Sequence, residues 1–209
     1  MCLTQHCLLK QKDLNKSLKK IIFTALIVLF IDQFTKLIVK TSMHLHENFS
    51  FFQEYFNLPW DWFIIYFIEN EGMAYGMELP GSYGKLVLTL VRISVVIFGF
   101  MYIRKLIKKN NFPIGLLICF GLIMGGAIGN IMDSIFYGVI FNEAPLFYGS
   151  VVDMLHFPLF EVNLPNWLSF LEGNDDNFLF FAPVFNIADS AVFIGITAIV
   201  FSPYRKYFV

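Results

Sequence analysis

The chain has 209 residues, of which 57% are hydrophobic and 18% aromatic, and its mean hydropathy is +0.64. That apolar content exceeds what a soluble domain of this length carries and points to a membrane protein. The formal net charge of -1 conceals an uneven distribution, and three scattered cysteines (Cys2, Cys7, Cys119) exclude both a disulfide framework and a cysteine metal site.

In chain order, residues 1–18 are polar and basic and form an N-terminal extension. The apolar run Ile21–Val39 follows. A signal peptide is the competing reading, but the run is long and no A-x-A-like site follows it, so a retained helix is expected. Three more apolar runs predict helices at about 86–103, 112–132 and 184–201. The expected fold is an all-α membrane protein, four transmembrane helices with a small extracytoplasmic β-sheet platform, in one domain over residues 19–204. Most of the lysines and arginines fall in three clusters: Lys10, Lys12, Lys16, Lys19 and Lys20; Arg104, Lys105, Lys108 and Lys109; Arg205 and Lys206. The positive-inside rule puts all three in the cytoplasm, with both termini, and leaves the connections 41–85 and 133–183 outside.

Those outer segments are unusual. Phe49 to Phe67 is dense in aromatic residues, which suits short strands lying at headgroup depth. Residues 142–149 and 171–177 read as surface loops, while Phe157–Phe170, with Pro158 and Pro165, fits either an interfacial helix or a strand pair.

Ionisable residues at membrane depth are costly and mark function or pairing. Asp32 and Lys36 lie one turn apart and can pair along a helix face; Arg92 sits in the second run, Asp133 ends the third, and Asp153 and Asp189 interrupt apolar stretches. If Asp153 and Asp189 face one cavity, close-set carboxylates cannot readily both ionise, and a pair sharing one proton can activate water. The alternative is that each Asp caps a helix or meets a cation. Gly121, Gly125 and Gly129 form one small-residue face that reads as close helix packing. His44 and His46 read as loop histidines; His156 either touches Asp153 or simply packs. No G-x-S-x-G or H-E-x-x-H motif is present.

Five blocks occur in one order: D-Q-F-T-K at 32–36, N-E-G-M-A-Y-G at 70–76, G-G-A-I-G-N-I-M-D at 125–133, V-V-D at 151–153 and F-N-I-A-D-S-A at 185–191. Together they resemble the bacterial lipoprotein signal peptidases, also called signal peptidase II, over about Lys19 to Tyr204. The resemblance implies a membrane-embedded aspartyl endopeptidase that cuts the signal peptide from diacylglyceryl-modified prolipoproteins just before the lipid-modified cysteine. It implies Asp153 and Asp189 as the catalytic pair. Asn70, Gly72, Asn130, Asp133 and Asn186 would line the site, with Asp32 and Lys36 in support. No metal and no cofactor belong to that chemistry. Expected partners are the prolipoprotein, membrane lipids and globomycin-type inhibitors, not nucleic acid, and a monomer is expected. The expected location is the bacterial cytoplasmic (inner) membrane, multi-pass, with the active site near its outer face. The family places Arg directly after the acid of the G-N-x-x-D block, where this chain has Ser134, so the cation expected near a substrate carbonyl is either missing or supplied from elsewhere, Arg92 being one candidate. The connections 134–151 and 157–183 also look longer than the family's. Two other classes compete on the residues alone: a proton relay, which would set acids at successive depths, and a non-enzymatic scaffold.

Overall fold

The computed structural model describes residues 2–50, 54–55, 62–71, 83–109, 112–158, 160–162, 178–180 and 183–207. Among these the protein is mostly helical, with a small antiparallel sheet. It divides into two compact units. The first comprises Met1–Thr35, Glu71–Val151 and Ile187–Val209, and the second Lys36–Asn70 and Val152–Asn186.

The first unit is built from helices α1 (Cys2–Ser42, whose last turns belong to the second unit), α2 (Gly84–Lys109), α3 (Ile114–Met132) and α4 (Ile187–Phe201). Among the described residues three stretches, Asp13–Ser42, Gly84–Lys108 and Ile114–Ile140, are long and apolar enough to cross a membrane. The 15-residue α4 is shorter. Several boundaries differ from expectation, among them the end of α2, at Lys109 rather than 103, and the starts of the first and last helices. The first helix starts at Cys2 rather than near residue 21, and Leu14, ahead of the expected start, joins Ile21, Ile103, Ile107, Leu116 and Phe120 in the core. The last helix starts at Ile187 rather than 184, because Val184–Phe185 pairs as a strand.

The helices expose many of their large apolar residues and bury several of their polar ones. Phe30 is 71% exposed and Phe193 70%, whereas Asp32, Asp133 and Thr89 are buried. That inversion is what lipid, rather than water, selects. Helix α3 is central, and its glycines explain why. Gly121 lies against Thr24 and Ile21, Gly125 against Ala25 and Val28, and Gly129 against Asp32, so the i, i+4, i+8 face receives α1. Gly126 and, from α4, Gly195 do the same for the α3–α4 contact.

Helix α3 does not end at Met132. It passes into a π-helical turn, Asp133–Tyr137, and a final helical turn, Gly138–Ile140. A π turn breaks the i→i−4 ladder and frees carbonyls, which must find donors elsewhere. The following loop supplies them: the Gly149 N–H donates to the Ser134 carbonyl at 2.9 Å and the Phe147 N–H to that of Ile135 at 3.1 Å.

In the second unit four strands form one sheet in the order β1 (Asn48–Ser50), β2 (Ile64–Asn70), β3 (Val151–His156), β6 (Val184–Phe185). β4 (Phe160–Val162) pairs antiparallel with β5 (Phe178–Phe180), which answers the helix-or-strand alternative for the described part of 157–170. Loop 171–177 and Pro165 lie outside the described residues. Aromatic rings cover part of this sheet, with Phe63 and Phe157 centroids 5.1 Å apart and Phe157 and Phe185 5.7 Å apart.

Candidate functional site

The polar residues singled out in the sequence gather in two places, one per unit. In the second unit Asp153 occupies the third position of β3 and is 2% exposed. The strands on either side supply its partners. Asn70, the last residue of β2, donates through Nδ2 to Asp153 Oδ2 at 3.0 Å, and Asn186, just past β6, donates to Oδ1 at 2.6 Å. Asn186 Nδ2 also lies 3.3 Å from the Val152 carbonyl oxygen, which fixes the amide's orientation. An acid bound on each oxygen by a side-chain amide is held in one rotamer by the sheet itself, because register decides which residues flank it.

Strand alternation puts Asp153 and His156 on opposite faces. The His156 ring sits 6.3 Å from that of Tyr66, its Nδ1 is buried without a hydrogen-bond partner among the described residues, and burial lowers its pKa from the ordinary histidine value. Packing is therefore the role the structure gives it. Lys36 is also in this unit and wholly buried. Lys40 forms an ion pair with Glu69, anchoring the end of α1 to β2. Gly72 lies outside the described residues.

In the first unit Asp189, in the opening turn of α4, accepts a hydrogen bond from Asn130 Nδ2 at 2.7 Å. Asp32, buried to 0% exposure, accepts the Ala188 backbone N–H on Oδ1 at 2.9 Å. A carboxylate on the unbonded amides of a helix N-terminus satisfies a donor and meets the positive end of the helix dipole. Asp32 thus caps, from another helix, the helix that carries Asp189. Gly129 makes room for it, since a Cβ there would stand 2.5 Å from Asp32 Oδ2.

Sequence reasoning missed Gln33. Its Nε2 lies 2.8 Å from Asp133 Oδ1, 3.2 Å from Asp32 Oδ2 and 3.3 Å from the Gly129 carbonyl, while its Oε1 accepts from the Tyr137 hydroxyl at 3.2 Å. A second polar residue beside Asp32 in an otherwise apolar helix was the available signal.

Ser134, which stands where the resemblance expects an arginine, is in contact with another helix. Arg92 of α2 donates from Nη1 to Ser134 Oγ at 3.1 Å, and Ser134 Oγ donates to the Asn130 carbonyl at 3.0 Å. Ser134→Ala removes the acceptor of a charged donor and should cost about 1.5–3 kcal/mol, read as a lowered unfolding temperature in detergent. Ser134 is only 3% exposed, so Ser134→Arg should be less stable still, by overpacking.

Among the described residues no group of three or more His, Cys, Asp or Glu is arranged to hold a metal ion. What the side chains offer is acid–base chemistry: carboxylates with amide donors, one of them, Asp189, partly exposed.

Residues 24–205 match the family model described as signal peptidase (SPase) II. A lipoprotein signal peptidase of Porphyromonas gingivalis is 43% identical over 192 residues, covering 84% of this chain and 79% of that protein. One from Amoebophilus asiaticus is 35% identical, covering 93% and 84%, and one from Chlorobium phaeobacteroides 34% identical, covering 88% and 94%. A solved bacterial membrane enzyme, determined by the in meso method at 2.3 Å, superposes with a TM-score of 0.59 at 25% identity over 86% of this chain and 84% of that one.

Proposed function

Because this chain belongs to the signal peptidase II family, we propose that it is a membrane-embedded aspartyl endopeptidase acting on diacylglyceryl-modified prolipoproteins. Membership carries the coarser conclusion directly: a membrane-integral protease of the lipoprotein signal peptidase family.

Asp153 and Asp189 are proposed as the catalytic pair. Supporting this is a short tether: Asn186, whose amide donates to Asp153 at 2.6 Å, precedes Asp189 by three residues, a length of chain that spans at most about 10 Å. In the proposed mechanism the ionised carboxylate takes a proton from water as the oxygen attacks the scissile carbonyl. The protonated partner donates to the carbonyl oxygen, and the roles exchange as the tetrahedral intermediate collapses and the amine leaves. Asn70 and Asn186 hold Asp153, and Asn130 holds Asp189, so both acids are preorganised. Gly72, Asp133 and Lys36 complete the proposed lining and support.

We assign four membrane crossings with both termini cytoplasmic and the sheet on the outer side of the bacterial inner membrane. At about 1.5 Å per residue α4 spans about 22 Å, less than the ~30 Å hydrocarbon core, which would set Asp189 below the outer surface, near a lipid-anchored cleavage point. The enzyme is proposed to act as a monomer without cofactor and to be inhibited by globomycin-type cyclic lipopeptides. The test is cleavage by the purified full-length protein of matched precursors with and without the diacylglyceryl group. Hydrolysis of the lipid-modified form alone is expected; equal hydrolysis of both, or of neither, overturns the substrate assignment.

A further inference from the structure

Two buried carboxylates, Asp32 and Asp133, come within reach of one neutral side chain, Gln33. A carboxamide has two N–H donors and one acceptor oxygen, and here each is engaged. Nε2 lies within hydrogen-bond distance of three acceptors, Asp133 Oδ1, Asp32 Oδ2 and the Gly129 carbonyl, and the oxygen takes the Tyr137 hydroxyl. The amide cannot turn over, because its oxygen would then face two carboxylates.

These contacts are placed one residue away from each partner of the Asn130–Asp189 hydrogen bond. Gly129 precedes Asn130. Asp32, whose second oxygen Gln33 holds, accepts the N–H of Ala188, which precedes Asp189. Orienting the Asp32 carboxylate therefore orients the first turn of α4. We propose that Gln33 is a positioning residue for cleavage: its carboxamide locks Asp32 to Asp133 and so sets where Asp189 stands. This rests on Asp189 being catalytic.

The groups facing position 33 are Asp32 on its own helix and Asp133 and Tyr137 at the end of α3, with Asp189 reached through Asn130 and Arg92 through Ser134. Three variants of the full-length protein separate the possibilities: Gln33→Leu, Gln33→Glu and, as control on the premise, Asp189→Asn. Each is assayed on a diacylglyceryl-modified precursor, with kcat expressed per active site titrated by a globomycin-type lipopeptide. Loss of the donors should lower kcat about ten- to hundredfold in Gln33→Leu while KM stays within about twofold. In Gln33→Glu a protonated carboxyl regains one donor, so its activity relative to wild type should climb as pH falls from about 8 to about 5.5. A wild-type kcat per site in Gln33→Leu overturns the proposal, as does a Gln33→Glu ratio that is flat with pH. If Gln33→Glu does not fold, Gln33→Leu decides alone. Full activity in Asp189→Asn would instead sink the catalytic assignment, whatever the Gln33 variants do.

Discussion

Asparagine at position 189 or 153 is expected to reduce cleavage of a diacylglyceryl-modified precursor by on the order of 10⁴-fold, because in the proposed mechanism each change removes a group that gives or takes a proton. The two variants differ in what they leave behind. Asp189 accepts from Asn130, and an asparagine oxygen can accept the same bond, so Asp189→Asn should unfold at the wild-type temperature. Asp153 accepts on both oxygens, from Asn70 and Asn186, and an asparagine there would turn one N–H toward another donor. Asp153→Asn should therefore also lose about 1–3 kcal/mol of stability. Activity assays with thermal unfolding in detergent measure both effects. More than about a tenth of wild-type activity in either folded variant counts against acid–base catalysis by that residue.

Gly126→Ala should have the next largest effect, for a geometric reason. An added Cβ would stand 2.2 Å from the Ala188 carbonyl oxygen and 2.9 Å from Val192 Cγ2. The first of these is helix backbone and cannot rotate aside, so α4 must move by about 1 Å, and Asp189 is the next residue after Ala188. Misplacement of that size costs about 10²-fold in rate. Overpacking adds about 1–3 kcal/mol of destabilisation. Gly99→Ala is the matched control, since nothing lies within 4 Å of a Cβ there, and it should behave as wild type. Wild-type kcat in Gly126→Ala would mean that α4 tolerates displacement.

Much of the site was visible in the sequence because lipid makes polar residues conspicuous. Asp32, Asp133 and Asp189 stood out against apolar runs, and Asn130 and Asp133 did so by ending one. The glycine face was read as packing, and it packs, but Gly129 does more: it leaves the space in which the Asp32 carboxylate sits. Gln33 was passed over because an uncharged amide beside an acid looks like an ordinary neighbour. Its significance appears only when Asp133, 100 positions away, comes within 2.8 Å.

By itself the sequence determined that apolar helices are present and which family the chain belongs to. Those follow from local quantities, namely apolar run length against bilayer thickness, charge asymmetry, and motifs in order. Tertiary structure alone decided that 151–156 and 184–185 enter one sheet with β2, so that Asp153 is held from both sides, and that Asp32 caps a helix 156 positions further along. It also decided that the third helix ends in a π turn whose freed carbonyls bind the next loop. The physical reason is common to all three: a hydrogen bond between distant segments is set by which backbones approach closely, and periodicity along one segment carries no information about its partner.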